Sequence, residues 1–388
     1  MIILIVLGIA GLIYLGSKMN SDAVKCQDCI LSINLATGFN EKSVKPDFLS
    51  QTLGVEPKAS FKEALDLIHH ATNDERIEAL HISGSSSLSM NQTITLSNAI
   101  KNFKSESNKD VFAYGDYFTQ SGYMLASQAD SIFIHPLGSL NLTGYRVILS
   151  HFKEALDKWD IKMAIYKAGK YKGYTEAFTN SEPSPENKEQ YMELIEGMHG
   201  LLIDFLSTNK GRDASFWEKV IANDLGARAQ SSLNEKLVDA ILHEADYKER
   251  IRSKYNFKKS DFLPLSQYRT EVTSKSKKAN VAYVVMEGPV VYQGEGISSE
   301  NLKKEFKHIR ESGEYEAVVI RMNSGGGSAF ASEEIWNEIE KTKAKGIPVI
   351  ASVGNVAASG GYYIIMNSDK IFAQKNRFNR CFYAFSSA

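Results

Sequence analysis

Short apolar runs alternate along the chain with segments whose apolar residues recur every three to four positions. Ile30–Leu35 (ILSINL) predicts a strand ending near Gly38. Ser60–Asn73 carries Phe61, Ala64, Leu65, Leu67, Ile68 and Ala71 at helical spacing. Ile77–Ser83 predicts the next strand, and Gly84–Ser89 a small-residue loop. Thr93–Phe103 reads as helix, Asp110–Tyr114 as strand, Gln120–Ser127 as the start of a helix and Ser131–His135 as strand. Strands alternating with helices imply an α/β fold with a mainly parallel sheet, since parallel neighbours need a crossover.

The same order returns late in the chain. Ala279–Val285 predicts a strand, Leu302–Ser312 a helix and Ala317–Arg321 a strand. A Gly-rich loop comes next at Asn323–Ser328 (NSGGGS), then a helix over Ser332–Thr342 and a strand over Val349–Val353. A small-residue turn (Gly354–Gly361), an apolar helix and Lys370–Ala373 complete the series. The residues align as well: seven positions separate Tyr123 from Asp130, and seven separate Tyr362 from Asp369. This is an internal duplication, and two copies are too few for a solenoid. Aligning the tyrosines sets Gln120 opposite Ser359, and the Gly-poor Ser83–Ser89 loop opposite NSGGGS. A feature kept only for structure would be expected in both copies, so the asymmetry makes Ser359 a functional candidate and the first copy a scaffold.

Between the copies, Lys188–Asn256 is mostly helical, with a long amphipathic stretch over Glu186–Leu206 and a helix–turn over Leu225–Ala240. Ser266–Lys278, rich in Ser, Thr and Lys, reads as a polar linker. At the other extreme, Met1–Gly16 is uninterrupted apolar and Lys18 is the first charge. That is slightly short of the roughly 20 residues a spanning helix prefers. It fits a signal anchor or a signal peptide's apolar region, with Ser21-Asp22-Ala23 a poor cleavage site. The anchor is the favoured reading, and either one exports the domain behind it across a membrane.

The 388 residues allow two or three domains. Charge is balanced, 45 Lys+Arg against 46 Asp+Glu, so no basic surplus points to nucleic acid. Cys26 and Cys29 form a lone C-x-x-C, and the third cysteine is Cys381. One such pair makes neither a zinc site nor a thioredoxin-like motif; incidental thiols, or a local disulfide outside the cytosol, are the plainer readings.

A serine in a tight strand-to-helix turn, flanked by Ala358 and Gly360–Gly361, is well placed as a nucleophile, because small neighbours admit a substrate backbone and a helix start supplies N–H groups. It still needs a base. The eight histidines include His69, His70 and His135, none with an evident partner. A lysine made neutral by desolvation and nearby positive charge is the other solution. Ala164–Phe178 (AIYKAGKYKGYTEAF) holds Lys167, Lys170 and Lys172, though alone it reads equally as a solvated basic loop.

Lys172 in GKYKGYTEAF, with Ser184–Glu186 shortly after it, closely resembles the lysine segment of the signal peptide peptidase A family in its long, two-repeat form. NSGGGS and VGNVAASGGYY resemble that family's glycine loop and nucleophile turn. The resemblance covers residues 1 to about 375. It implies two caseinolytic-protease/crotonase-like repeats behind a transmembrane anchor, forming a membrane-anchored serine–lysine peptidase. Ser359 is then the nucleophile, Lys172 the general base, and Gly326, Gly327 and Gly360 the oxyanion-hole candidates, Gly326 first among the loop glycines. It further implies apolar peptide substrates such as signal-peptide remnants, a homo-oligomer, no cofactor or metal, and a bacterial inner-membrane location with the catalytic part extracytoplasmic.

On this reading residues 1–18 are the anchor, 28–187 the first repeat with Lys172, 188–278 the helical connection and polar linker, 279–376 the second repeat, and 377–388 an aberrant tail. Three features depart from the family. Gly325 stands where proline is usual, the anchor lacks a basic leader, and RFNRCFYAFSSA matches neither the family nor the first repeat. The tail implies an incomplete second repeat. The alternative function is therefore an inactive product serving as a membrane-anchored assembly or binding protein. An acyl-CoA enzyme of the crotonase type shares the glycine loop, but it would normally carry acidic catalytic residues and no export segment. NSGGGS is not a P-loop, since no Gly-Lys-Ser/Thr follows it.

Overall fold

The computed structural model describes residues 28–42, 58–166, 169–255, 262–272 and 280–373. The apolar Met1–Gly16 and the tail with Cys381 lie outside them. Among the described residues no helix is long and apolar enough to cross a membrane.

The first copy is β1 (Cys29–Asn34), α1 (Phe61–Thr72), β2 (Ile77–Ser83), α2 (Met90–Ser107), β3 (Asp110–Phe118), α3 (Gln120–Ala126) and β4 (Ser131–Leu140). Capping residues set where its helices begin. Ser60 and Glu63 form a reciprocal capping box at α1, and Ser89 and Gln92 form one at α2. The second box explains why α2 starts at Met90, ahead of the expected Thr93: its cap lies inside the small-residue loop. Strands β3 and β4 run past their expected ends because, beyond a register shift, Tyr117 pairs with Ser139 and Phe118 with Leu140.

After the 26-residue helix α4 (Pro185–Lys210) come β5 (Ala240–Ile241), α5 (Glu244–Tyr255), β6 (Phe262–Pro264) and α6 (Leu265–Val272). Here the structure differs from the expected polar linker. Its first part, Ser266–Val272, is helix, and it continues directly from β6, which pairs with β1. The reason is Tyr268, fully buried with its hydroxyl on His70 Nδ1 (2.7 Å) and Asp74 Oδ2 (3.0 Å). One anchoring aromatic docks an otherwise polar helix.

The second copy is β7 (Val281–Glu287), β8 (Val290–Val291), β9 (Ile297–Ser298), α7 (Ser299–Glu311), β10 (Ala317–Ser324), α8 (Ala329–Ala344), β11 (Val349–Ala357), α9 (Gly360–Ile365) and β12 (Lys370–Phe372). The two main sheets share one plan. The first runs β5-β4-β3-β2-β1-β6 and the second β12-β11-β10-β7, with every neighbour parallel. Equivalent residues make equivalent bonds. Asp130 receives the Val111 N–H (2.8 Å) and returns its own N–H to Val111 O (2.8 Å). Asp369 does the same with Val349 (2.7 and 2.8 Å). Lys104 reaches Gln128 O, and Lys343 reaches Asn367 O. The matched Tyr-to-Asp spacing thus serves one purpose twice, closing the turn from helix to the next strand.

The sheets are covered differently. In the second, β10 alternates, burying Val318, Ile320, Met322 and Ser324 and leaving the intervening residues half-exposed. Beneath the buried face lie Phe306, Ile335 and Ile339 from α7 and α8. In the first, β2 is buried on both faces, with Tyr247 and Ile251 of α5 against the side away from α1 and α2. Cys29, opening β1, is disulfide-bonded; Cys26 and Cys381 lie outside the described residues.

The described residues divide into two compact units, one up to Leu142 and again over Lys219–Phe372, the other over Thr143–Glu218. Both copies' sheets belong to the first.

Candidate active site

Ser359 sits between β11 and α9 with φ 49° and ψ −123°. A left-handed φ is costly for a residue with a Cβ, and such strain gathers at functional sites. The turn is held by its neighbours: Ala358 N–H donates to Ser324 O (3.0 Å), Gly361 N–H to Ala358 O (2.9 Å) and Tyr363 N–H to Ser359 O (2.9 Å). The serine side chain is exposed and does not cap α9. The equivalent first-copy turn is relaxed. Thr119 caps α3 from ordinary extended backbone, and Gln120 is simply the first helical residue.

The glycine loop lies against this turn. A methyl group on Gly326 would fall 2.7 Å from both Ser359 Cβ and Gly360 N. One on Gly360 would fall 2.5 Å from Ser332 Oγ and 3.3 Å from Gly327 N. Only glycine lets loop and turn approach this closely. Beyond the loop, β8 clamps it: Val290 N–H donates to Gly326 O (3.0 Å), and Ser328 N–H to Val290 O (2.9 Å). This bridge turns the Gly327 N–H away from β8. Among the described residues the N–H groups of Gly327 and Gly360 have no hydrogen-bond partner, the latter as a first helical N–H. The Gly326 N–H, the sequence's first choice as donor, instead donates to Ser324 Oγ (3.1 Å), whose hydroxyl donates to Gly288 O (2.7 Å). Ser324 is a latch that sequence reasoning passed over.

In the first copy side chains fill this space. Thr119 Oγ1 accepts the Ser86 N–H (3.0 Å) and donates to Ser86 O (2.7 Å), Ser121 Oγ donates to Ser86 O (3.0 Å), and Leu88 N–H donates to Ser86 Oγ (3.2 Å). Side-chain hydroxyls thus stitch loop and turn together. The second copy could carry acyl chemistry: an exposed hydroxyl on a strained turn, beside two backbone donors able to receive a developing oxyanion.

The first copy also braces this site. Asn91 Nδ2 donates to Gly354 O (2.6 Å), and the Ser89 hydroxyl bonds Asn355 Oδ1. Asn355 N–H in turn meets Asn323 Oδ1 (3.3 Å), at the start of the glycine loop.

Lys172 belongs to the other unit, where it precedes a 3-10 turn over Gly173–Thr175 and its side chain is exposed. Lys170 lies over the Tyr171 ring, 4.9 Å from its centroid, and Lys167 is outside the described residues. Ser359, Gly326, Gly327 and Gly360 thus come together in one unit, and Lys172 is carried by the other.

Three comparisons bear on identity. The model of peptidase family S49 matches residues 103–258 and 341–378, half of the chain. Protease 4 of Haemophilus influenzae is 30% identical over 295 residues, 72% of this chain and 48% of that protein. A chloroplastic serine protease SPPA of Arabidopsis thaliana is 28% identical over 290 residues, 71% of this chain and 42% of that protein. The chain spans about half the length of the curated relatives it matches. Among solved structures, a mutant of a membrane-bound stomatin-specific protease has a TM-score of 0.32 and 15% identity, covering 60% of this chain and 86% of that one, a likeness too low to bear on the fold. From the family match, and from the duplicated α/β architecture that carries Ser359 beside its glycine loop, the chain belongs to peptidase family S49.

Proposed function

We propose that this chain is a serine peptidase working through a serine–lysine dyad. Ser359 Oγ attacks the scissile carbonyl as Lys172 takes its proton. The tetrahedral oxyanion is received by the N–H groups of Gly327 and Gly360, with Gly326 as the close wall of the hole. Collapse of the intermediate expels the amine, which takes up the proton, and leaves an acyl-enzyme that water then releases. The observation that carries this reading is the strained Ser359 turn beside two open backbone donors, present in the second copy and replaced by side-chain stitching in the first. The family's activity supports it.

Each copy is a caseinolytic-protease/crotonase-like repeat. Met1–Gly16 anchors the chain in a bacterial inner membrane with the catalytic part outside the cytoplasm, where a disulfide at Cys29 suits an oxidising compartment. The substrates are apolar peptides such as signal-peptide remnants, and the chain assembles with its own copies. A fluorophosphonate probe tests the site directly. Wild type should be labelled at Ser359, seen by peptide mapping, and Ser359→Ala should not. Equal labelling of both, or none of either, contradicts the assignment.

A further inference from the structure

A buried carboxylate lies beside the Lys172 turn, and the chemistry above does not use it. Glu176 is 2% exposed. Its Oε2 accepts the Ser184 N–H (2.8 Å) and Asn187 Nδ2 (3.2 Å), and its Oε1 accepts the Ser184 hydroxyl (2.7 Å). Ser184 is the N-cap of α4, and its Oγ accepts the Asn187 N–H (3.2 Å). One carboxylate thus joins the start of a long helix to the turn just after Lys172. Burying a carboxylate is costly unless its oxygens are bonded, so the arrangement is tolerated only where those bonds are made.

The joint reaches the lysine through its neighbour. A methyl group on Gly173 would fall 2.4–2.5 Å from the carbon, nitrogen and oxygen of the Asn187 amide. Asn187, itself buried, therefore lies flush against the backbone next to Lys172. The short helix that follows the turn, Glu176–Thr179, is held through its backbone carbonyls. His151 Nδ1 bonds Glu176 O (3.2 Å) and Asn180 O (2.8 Å), and Phe152 N–H donates to Ala177 O (2.6 Å). Because the Lys172 side chain is exposed, the place its amine can reach depends on where its backbone is held.

We propose that Glu176, acting with Ser184 and Asn187, is a positioning residue for Lys172. It fixes the lysine turn to the first turn of α4 and so delivers the amine to one place. The inference rests on the reading of Lys172 as the general base, and it adds a residue that touches neither substrate nor reacting atoms.

The test is steady-state hydrolysis of an apolar peptide ester by the full chain, with kcat and KM separated and rates referred to titrated active sites. Glu176→Ala and Asn187→Ala should each lower kcat by about 30- to 100-fold, since a displacement of about 1 Å costs that much. KM should stay within about twofold, because no substrate contact is removed. Glu176→Gln should restore kcat to within about threefold of wild type: its carbonyl can accept from Ser184 N–H and Asn187 while its amide donates to the Ser184 hydroxyl. Asn187→Ala decides the matter if Glu176→Ala does not fold. A wild type that needs Lys172 but loses under threefold in Asn187→Ala overturns this inference alone, as does a Glu176→Gln variant no better than Glu176→Ala. Turnover untouched by Lys172→Ala overturns the dyad beneath it, and this inference with it.

Discussion

At the scale of single residues, Gly326 and His81 show how little room the chain leaves at some positions. Gly326 has φ 100°, and a methyl group there would press on Ser359 Cβ and Gly360 N at 2.7 Å. Gly326→Ala is expected to cost about 1–3 kcal/mol in folding through backbone strain. On the proposed mechanism it should cost about 100-fold in kcat by moving the Ser359 turn. A melting curve and an ester assay read the two separately; kcat unchanged in a folded variant would show that loop and turn need not touch. The positive φ of Ser359 was not legible in the sequence. A serine among small residues looks the same in a relaxed turn and a strained one, and only the packing of Gly326 against it distinguishes them. Nor was the Ser324 latch legible, since a hydroxyl at a strand end has many possible partners.

His81 illustrates a residue whose environment the sequence did not disclose. It lies between Tyr247 and Phe262, with ring centroids at 5.5 and 5.0 Å, and Nδ1 on Ser32 Oγ (3.1 Å). Burial, helped by the nearby Lys248 ammonium, pulls its pKa from 6.5 down to about 3. The unfolded chain then binds a proton near pH 6.5 that the folded chain refuses until about 3. This contribution to stability is intact above the higher value and drains away as pH falls through the window, by up to about 1.4 kcal/mol per pH unit. Urea midpoints measured between these limits should fall less steeply with acid in His81→Gln; an unchanged slope would mean His81 is protonated in the fold.

At the scale of elements, the strand and helix order was readable because each element carries its own period, and the second copy repeats the first. What was misread were the places where a single contact outweighs composition. The polar segment after Pro264 is helix because Tyr268 docks, and α2 begins early because Ser89 caps it. The joint between the two copies was hidden for a related reason, since its residues are charged and look like surface. Glu41, 4% exposed at its side chain, pairs with Arg321 (Nε–Oε2 3.2 Å, Nη2–Oε1 3.3 Å) and accepts from Gln92 Nε2 (3.1 Å). Arg321 also donates to Ser352 Oγ and Val353 O (both 3.1 Å). Removing one partner strands the other charge, so Glu41→Ala should lower unfolding free energy by about 3–5 kcal/mol. Glu41→Ala with Arg321→Met should recover much of that in urea titration. If the double variant is no better than the single, the loss is not one of an unpaired charge.

At the scale of the whole molecule, two sheets of one plan carry two versions of one turn. The first copy closes its loop with Thr119, Ser86 and Ser121, covers its sheet on both faces, and braces the strand leading to Ser359 through Asn91 and Ser89. The second keeps the glycines and the strained serine. The difference between the two turns was legible in the sequence, from Gln120 opposite Ser359 and a Gly-poor against a Gly-rich loop. Lys172 is a candidate by resemblance alone; its local frame of Glu176, Ser184 and Asn187 was not legible, because a buried glutamate is written like an exposed one.

The dyad is tested most simply by hydrolysis of an apolar peptide ester by the detergent-solubilised chain, wild type beside Ser359→Ala and Lys172→Ala. A working dyad predicts turnover by wild type and a loss of at least about 1,000-fold in each variant, as expected when either member of a nucleophile–base pair is removed. A wild type no more active than the variants, or a Lys172→Ala variant that keeps its rate, would contradict it.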